Sequence, residues 1–305
     1  MFGEALDNVR AKNPLIHNIT NYVTINDCAN ILHACGASPI MAEAPEEAAE
    51  ITAVCDGLNI NIGTPNEYKK EAMMIAAVTA NELNHPVILD PVGTGASSFR
   101  REITANLLDK IKFAVIRGNS SEMKTLAKYC EQGKDPAHND TIQGKSPTGK
   151  RKKQDYLGHI TDDKRLNVDV LNSDMVCEIN LEAAVSFTEN LALRLGSVIA
   201  MTGMIDIVTD GETTYCIRNG NPEMQYFTGA GCQLSALTTA FVSANPDDPL
   251  WATAAAVSAM GLCGEIAMER MTASDGNSSY RNHIIDAVYN LKSSDLDQGS
   301  NYEIR

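Results

Sequence analysis

Short apolar runs alternate along the chain with longer segments of helical periodicity. The runs that favour buried strands are 57–63 (GLNINIG), 86–93 (PVILDPVG), 113–118 (FAVIRG), 197–203 (SVIAMTG) and the shorter 38–42 (SPIMA). The segments that favour helices are 24–36, 44–55, 64–84, 98–111, 119–130, 181–196, 227–244 and 250–270, and Gly36 is expected to end the first of them. Strands that alternate with such helices predict an α/β fold, with a mostly parallel sheet covered on both faces and a hairpin at 205–220. We expect one domain over residues 1–305.

One region interrupts this alternation. In residues 131–167 large apolar side chains nearly vanish, and Gly, Pro, Asp, Asn and Lys dominate. Such a segment cannot bury enough apolar area to order itself. We therefore expect a polar, flexible insertion in this domain.

Charge and cysteine usage exclude several classes of protein. A net charge of −14 argues against nucleic-acid and anionic-membrane surfaces, because both require a basic face. The 8 cysteines stand singly without a CxxC pair, so neither a zinc site nor a disulfide framework is indicated. The start has no apolar signal-like core, and no run of about 20 residues lacks polar interruption. We expect a cytoplasmic protein.

The segment 227–244 (FTGAGCQLSALTTAFVSA) combines a glycine turn with the start of an apolar helix. Free N–H groups at a helix start bind anions, so Gly229, Ala230 and Gly231 can form a phosphate cradle. Cys232 stands where phosphoryl transfer would accept a carboxylate. A helix N-terminus lowers a thiol pKa, so Cys232 is a candidate proton acceptor. The alternative is a tight turn before a buried helix.

Other polar residues follow predicted strands, where doubly wound sheets bind ligands. Asp90 ends one strand and is a candidate Mg²⁺ ligand, or alternatively a loop cap. After the next strand, Arg117 can clamp phosphate oxygens and Glu122 can act through metal-bound water. Asn119 and Glu122 also fit a capping box, and both interpretations can hold together. Thr202 follows a further strand at the same edge.

The order of these motifs resembles the hydroxyethylthiazole kinase family, whose fold is ribokinase-like. The resemblance rests on "HNITNYV", "SPIMAEAPEE", "NIGT", "PVILDPVGTGAS", "VIRGNSSE", "TGMIDIVTDG" and "FTGAGCQLSAL" and extends from about Asn13 to Asn290, apart from the polar segment. The first two motifs are the most specific. The resemblance implies Mg²⁺- and ATP-dependent phosphorylation of the primary hydroxyl of 4-methyl-5-(2-hydroxyethyl)thiazole, in thiamin salvage.

The resemblance also implies a set of site residues. Cys232 occupies the catalytic position; Met41, Gly229 and Asn21 would contact the thiazole; Arg117, Thr202, Ala230 and Gly231 would bind ATP; and Asp90 and Glu122 would surround the metal. Family members are typically trimers with active sites between subunits, so Asn21 can be contributed across an interface. For Met41 the alternative is core filling.

Three departures from the family pattern leave room for a shifted substrate. The family turn commonly has a threonine where Ala230 stands, the polar segment is longer than expected, and residues 272–286 match loosely. The alternatives are a ribokinase-like kinase of another small alcohol, such as a hydroxymethylpyrimidine, and an ATP-dependent NAD(P)H-hydrate dehydratase. A non-catalytic thiazole- or nucleotide-binding protein is the third, against which the presence of Asp90, Glu122 and Cys232 argues.

Overall fold

Nine strands form one mixed sheet in the computed structural model, which describes residues 1–131 and 176–305. The strands are β1 (Leu15–Ile19), β2 (Ser38–Ile40), β3 (Gly57–Asn61), β4 (Val87–Asp90), β5 (Val115–Asn119), β6 (Val198–Thr202), β7 (Asp206–Thr209), β8 (Thr214–Ile217) and β9 (Tyr302–Ile304). Their order across the sheet is β2-β1-β3-β4-β5-β6-β7-β8-β9. Strands β1 to β6 pair in parallel, and β7 to β9 complete the sheet with antiparallel pairing.

Helices cover both faces of the sheet. They are α1 (Gly3–Lys12), α2 (Ile25–Cys35), α3 (Pro45–Val54), α4 (Glu67–Glu82), α5 (Ser98–Lys110), α6 (Ser120–Glu131), α7 (Leu181–Leu195), α8 (Ala230–Ala244), α9 (Pro249–Glu269), α10 (Asn277–Asn290) and α11 (Ser293–Gly299). Buried residues of α1, α2 and α8 to α11 form one core cluster, and those of α3 to α7 form the other. Side chains along a strand alternate between these clusters, as for Val198 and Ile199, so the sheet is buried on both faces.

The predicted α/β fold, its parallel sheet and its hairpin (β7 and β8) are confirmed. Gly36 ends α2 with a φ of 100°, in the left-handed region that favours glycine. The polar segment 131–167 lies, apart from its first residue, outside the described residues.

Five of these helices and strands were left unassigned by the sequence analysis, and two of them are the C-terminal helices α10 and α11. Helix α1 buries Leu6 and Val9, a pattern too short to stand out before Pro14. Strand β1 includes the polar residues His17 and Asn18. Both are buried, but they interrupt the apolar run by which a strand is identified from sequence. Strand β9 is a three-residue edge strand with two exposed side chains, so it has no apolar alternation to detect.

Helix α9 lies in the core. Within residues 1–131 and 176–305 it is the one helix that is long and apolar enough to cross a membrane, and 83% of its most apolar window is buried inside the protein. Its Ala- and Gly-rich surface lets α8, α10 and the sheet pack against it. Its apolar character is therefore explained by packing.

Candidate active site

The candidate site lies at the edge of the sheet where parallel strands β1, β3, β4, β5 and β6 end. Asn61 ends β3 directly beside Asp90, which ends β4. Thr202 ends β6 beside the last residue of β5. Helix α8 packs on β3 and β4, so its N-terminus is brought to the same edge. The topology therefore brings together most of the polar residues predicted from the sequence.

A buried chain of hydrogen bonds connects Asp90 with Cys232. Asn61 donates from Nδ2 to Asp90 Oδ2 at 2.7 Å, and its Oδ1 accepts from Asn21 Nδ2 at 3.0 Å. The same Asn21 nitrogen donates to Cys232 Sγ at 3.1 Å. Ser235, three residues after Cys232 on α8, donates to Asp90 Oδ2 at 2.8 Å. Asn21, Asn61, Asp90, Cys232 and Ser235 thus form one connected polar network with the geometry of each member fixed by the next.

Asn21 is held by the loop that follows β1. Its Oδ1 accepts hydrogen bonds from the N–H groups of Val23 and Thr24 and from the Thr24 hydroxyl, at 3.1–3.2 Å. These bonds within its own chain orient Asn21 toward Cys232.

Arg117 connects Asp90, Thr202 and the α8 turn. Its Nη2 donates to Thr202 Oγ1 at 2.9 Å, and its Nη1 lies 3.7 Å from Asp90 Oδ1. A Cβ built on Gly231 would lie 2.4 Å from Arg117 Nη1. The guanidinium group therefore rests against the backbone of the glycine turn, and a side chain at residue 231 would displace it.

Gly229 precedes α8 with a φ of 105°, a conformation that other residues adopt only with strain. A Cβ at this position would also lie 2.7 Å from Thr24 Cγ2. The turn thus needs glycine for its conformation and for its contact with the loop after β1. Ala230 and Gly231 open the helix, where N–H groups have no intrahelical partner.

Glu122 both caps helix α6 and lies at the candidate site, so the two interpretations drawn from the sequence hold together. Its Oε2 accepts from the Asn119 N–H at 2.9 Å while Asn119 Oδ1 accepts from the Glu122 N–H at 2.9 Å, which is a capping box at the start of α6. Its Oε1 accepts from the Gly93 N–H at 2.8 Å. The capping box therefore fixes the carboxylate beside the loop that follows Asp90.

Burial disfavours the ionised forms of the Asp90 and Glu122 carboxyl groups. Burial raises the pKa of Glu122 to about 7, with the Asp90 carboxylate as the second cause. Burial raises the pKa of Asp90 as well, while Arg117 opposes the rise. Asp90 Oδ1 is buried and has no hydrogen-bond partner within the described part of the chain. An orphaned carboxylate oxygen beside a second buried carboxylate fits a hard cation such as Mg²⁺.

No set of three or more His, Cys, Asp or Glu side chains converges on one point in residues 1–131 or 176–305. This donor set suits Mg²⁺, which binds through one or two carboxylates and completes its shell with water and substrate phosphates.

The prediction of a lowered pKa for Cys232 is wrong, because its surroundings raise the pKa. Burial raises the pKa of the Cys232 thiol to about 11, and the Asp90 carboxylate raises it further as the second cause. The helix N-terminus was expected to lower it. Desolvation dominates because the side chain is 9% exposed and lies next to a buried anion. All eight cysteines are free thiols, as expected.

Met41 lies apart from this network. It follows β2, is half-buried and packs against the core cluster on the α8 face. The core-filling alternative therefore holds in part, and Met41 lies at the same edge of the sheet as the network.

Sequence reasoning missed Asn61, Ser235 and Asp206. Asn61 ends a strand that is otherwise assigned as buried, and Ser235 shares a helix face with Cys232 through i, i+3 spacing. Asp206 accepts from the Gly203 N–H at 2.8 Å beside Thr202, and burial raises its pKa to about 7. A polar residue at the end of a buried strand was the signal that could have identified Asn61.

Comparisons with known proteins identify the family of this chain. The model of the hydroxyethylthiazole kinase family matches residues 6–148 and 174–294. The chain is 51% identical to hydroxyethylthiazole kinase of Clostridium acetobutylicum over 99% of both chains, and 41% identical to that of Methanobrevibacter smithii over 99% of this chain and 96% of the relative. The structure of hydroxyethylthiazole kinase from Pyrococcus horikoshii superimposes with a TM-score of 0.79 at 31% identity, covering 100% of this chain and 98% of the other.

Other ribokinase-like enzymes share the fold alone. Pyridoxal kinase from Staphylococcus aureus superimposes with a TM-score of 0.54 at 14% identity, covering 95% of this chain and 97% of that one. The predicted ribokinase-like architecture is thereby confirmed. With 51% identity over the full length and a family model that matches most of the chain, this protein belongs to the hydroxyethylthiazole kinase family, and the family's kinase activity in thiamine salvage follows from that membership.

Proposed function

We propose that this protein transfers the γ-phosphoryl group of ATP to the primary hydroxyl of 4-methyl-5-(2-hydroxyethyl)thiazole at the sheet edge formed by Asp90, Arg117 and Cys232. The observation that carries the proposal is the buried network from Asp90 to Cys232, which meets Arg117 at the N-terminus of α8. This network connects the phosphate-binding turn, the Arg117 guanidinium group and the candidate hydroxyl site.

The phosphates of ATP would bind at the glycine turn. The N–H groups of Ala230, Gly231 and Cys232 open α8 and are available for anionic oxygens. Arg117 adds a charge-assisted donor, and Thr202 holds its guanidinium group in place. Phosphoryl transfer depends mainly on positioning and charge stabilisation, and this turn supplies both from fixed groups.

Asp90 and Glu122 would hold Mg²⁺. Asp90 offers Oδ1, which accepts no hydrogen bond from any residue that the structure describes, and Glu122, whose two oxygens already accept N–H groups, would act through bound water. When bound, the cation neutralises phosphate charge. Its own charge would also favour the ionised forms of the two carboxyl groups.

Cys232 and Asn21 would hold the reacting hydroxyl. With a pKa of about 11 the Cys232 thiol is protonated at neutral pH, so we assign it the shaping and orientation of the hydroxyl site. Asn21 fixes the thiol and stands where the loop after β1 meets the α8 turn. Met41 and Gly229 complete the substrate side of the proposal.

We further propose that the protein forms a homotrimer whose active sites lie between subunits. We also propose that the whole chain forms one kinase domain and that the protein is cytoplasmic. The exposed side chains of Tyr22 and Val23, 54% and 66% accessible beside Asn21, support a partner surface at this point. Neither nucleic acid nor a membrane is expected as a partner, given the net charge of −14.

ADP release measured with a panel of small alcohols tests the function. The thiazole alcohol should be phosphorylated in preference to hydroxymethylpyrimidine and pyridoxal, and no activity on any alcohol would refute a kinase. In Mg²⁺ titrations Asp90→Asn and Glu122→Gln should each lower turnover and raise the Mg²⁺ concentration needed for half activity. Turnover at wild-type rates in limiting Mg²⁺ by both variants would refute the metal assignment.

A further inference from the structure

A lysine lies fully buried beside the proposed thiazole pocket. Lys69 is 1% exposed, and no other lysine or arginine is buried to this extent in residues 1–131 and 176–305. It stands in the first turn of α4, where the helix dipole disfavours a cation. Both placements cost stability, because a buried ammonium loses its hydration. Local rules of this kind are broken mainly where function requires it.

The ammonium group is held by three partners. Lys69 Nζ donates to the Thr20 carbonyl at 2.8 Å and pairs with Glu43 Oε2 at 2.9 Å. It also lies 3.8 Å from the centroid of the Tyr22 ring. Tyr22 in turn donates from its hydroxyl to Glu43 Oε1 at 2.7 Å. An ammonium has three donors, so this environment satisfies it fully and fixes its position.

These partners belong to the two loops that carry the proposed substrate contacts. Thr20 immediately precedes Asn21, and Glu43 follows Met41 by two residues. The intervening Ala42 carbonyl accepts a hydrogen bond from His17 Nε2 at 2.9 Å, so the second loop is held from β1 as well. Lys69 itself is anchored, since its N–H donates to the Asn66 side chain at 2.8 Å at the start of α4.

We propose that Lys69, with Glu43 and Tyr22, is a positioning residue for the thiazole alcohol, which holds the loop after β1 and the loop after β2 at a fixed separation. The inference rests on the proposed function, because Asn21 and Met41 take part only if that pocket binds the alcohol. Lys69 contacts neither the phosphate turn nor the proposed metal ligands Asp90 and Glu122, so we expect it to affect binding of the alcohol and not of ATP.

Lys69→Met removes the charge and keeps the chain length. We expect the KM for the thiazole alcohol to rise about 10- to 100-fold, while the KM for ATP stays within about twofold and kcat falls less than the KM rises. Lys70→Met is the matched control, because the neighbouring Lys70 pairs with Glu102 on the surface. It should leave both KM values unchanged.

Glu43→Gln and Tyr22→Phe keep the buried ammonium on the Thr20 carbonyl and serve if Lys69→Met does not fold. Each should raise the thiazole KM severalfold with the ATP KM unchanged. The double variant Lys69→Met/Glu43→Gln should be no worse than Lys69→Met alone, because the two residues act as one unit. Multiplicative effects in the double variant would contradict the shared clamp.

Two results would overturn the inference. The first is a lower melting temperature of Lys69→Met with both KM values as in the wild type, which would indicate a purely structural residue. The second is a rise of both KM values by the same factor. If the wild type itself fails to phosphorylate the thiazole alcohol, the proposed function fails instead, so the two failures are distinguishable.

Discussion

Replacement of Cys232 by alanine, serine and aspartate separates a proton acceptor from a residue that shapes the hydroxyl site. With a pKa of about 11, about one thiol in 10⁴ is ionised at pH 7. General-base assistance is typically worth about 10²–10⁴ in rate, and a thiolate this scarce loses that advantage. We therefore expect Cys232→Ala to turn over within about tenfold of the wild type at pH 7.5, with the KM for ATP unchanged because the phosphate turn is backbone.

Serine should behave like the wild type within the same range, since its oxygen can accept the Asn21 amide hydrogen as Sγ does. Aspartate should differ. The burial and the Asp90 charge that raise the pKa of Cys232 would also raise that of an aspartate from its ordinary range toward neutrality. A carboxylate with such a pKa is a well-matched base at neutral pH. Cys232→Asp should therefore be at least as fast as the wild type.

The assay is ADP release between pH 6 and 9.5 with saturating ATP and Mg²⁺. A parallel measurement follows alkylation of Cys232 by iodoacetamide, whose rate should rise about tenfold per pH unit across this range, because ionisation is far from complete. Bound thiazole alcohol should protect the thiol. The reasoning is refuted if Cys232→Ala loses 10² or more in turnover while alkylation already levels off near pH 8, because the thiolate would then form at neutral pH.

Three further substitutions test other parts of the site. Gly231→Ala should raise the KM for ATP at least tenfold, because a Cβ 2.4 Å from Arg117 Nη1 displaces the guanidinium group; an unchanged KM would place ATP elsewhere. Gln233→Met should raise the melting temperature by about 2 °C or more, because both polar atoms of the buried Gln233 amide lack partners and each such atom costs about 1–3 kcal/mol. A lower melting temperature would reveal a partner. Without Mg²⁺, Glu122→Gln should flatten the pH dependence of the free energy of unfolding. The raised pKa of Glu122 adds stability that is fully present below about pH 4.5 and is lost as the pH rises through about 7, by roughly 3 kcal/mol at most. Equal slopes for variant and wild type in urea unfolding between pH 5 and 7.5 would contradict the raised pKa.

The sequence predicted the elements whose patterns are local. Strands such as β4 and helices such as α8 have apolar periodicity and glycine boundaries that are visible in a short window. The parallel arrangement then followed from alternation, and it brought Asp90, Arg117 and Thr202 to one edge as predicted. These residues are identifiable because each follows an apolar run.

What the sequence could not predict depends on contacts between distant segments. The bond between Asn21 and Cys232 joins residues separated by 211 positions, and the partners of Lys69 come from two loops. The pKa of Cys232 is likewise a property of its surroundings: the helix start was visible in the sequence, but the burial and the proximity of Asp90 were not. Local rules therefore gave the position of the thiol correctly and its acidity in the wrong direction.

The packing of helix α1 has a consequence for biosynthesis. Its apolar side chains lie in the cluster formed with α8, α9 and α11, and Gly3 donates to Asp297 at 2.6 Å while the Phe2 ring lies 4.6 Å from that of Tyr302. At about 5–20 residues per second, the ribosome needs roughly 15 to 60 s to reach α11 after completing α1. The apolar face of α1 lacks α8 and α9 for most of that time and lacks α11 for all of it, so it stays incompletely covered until the last part of the chain emerges.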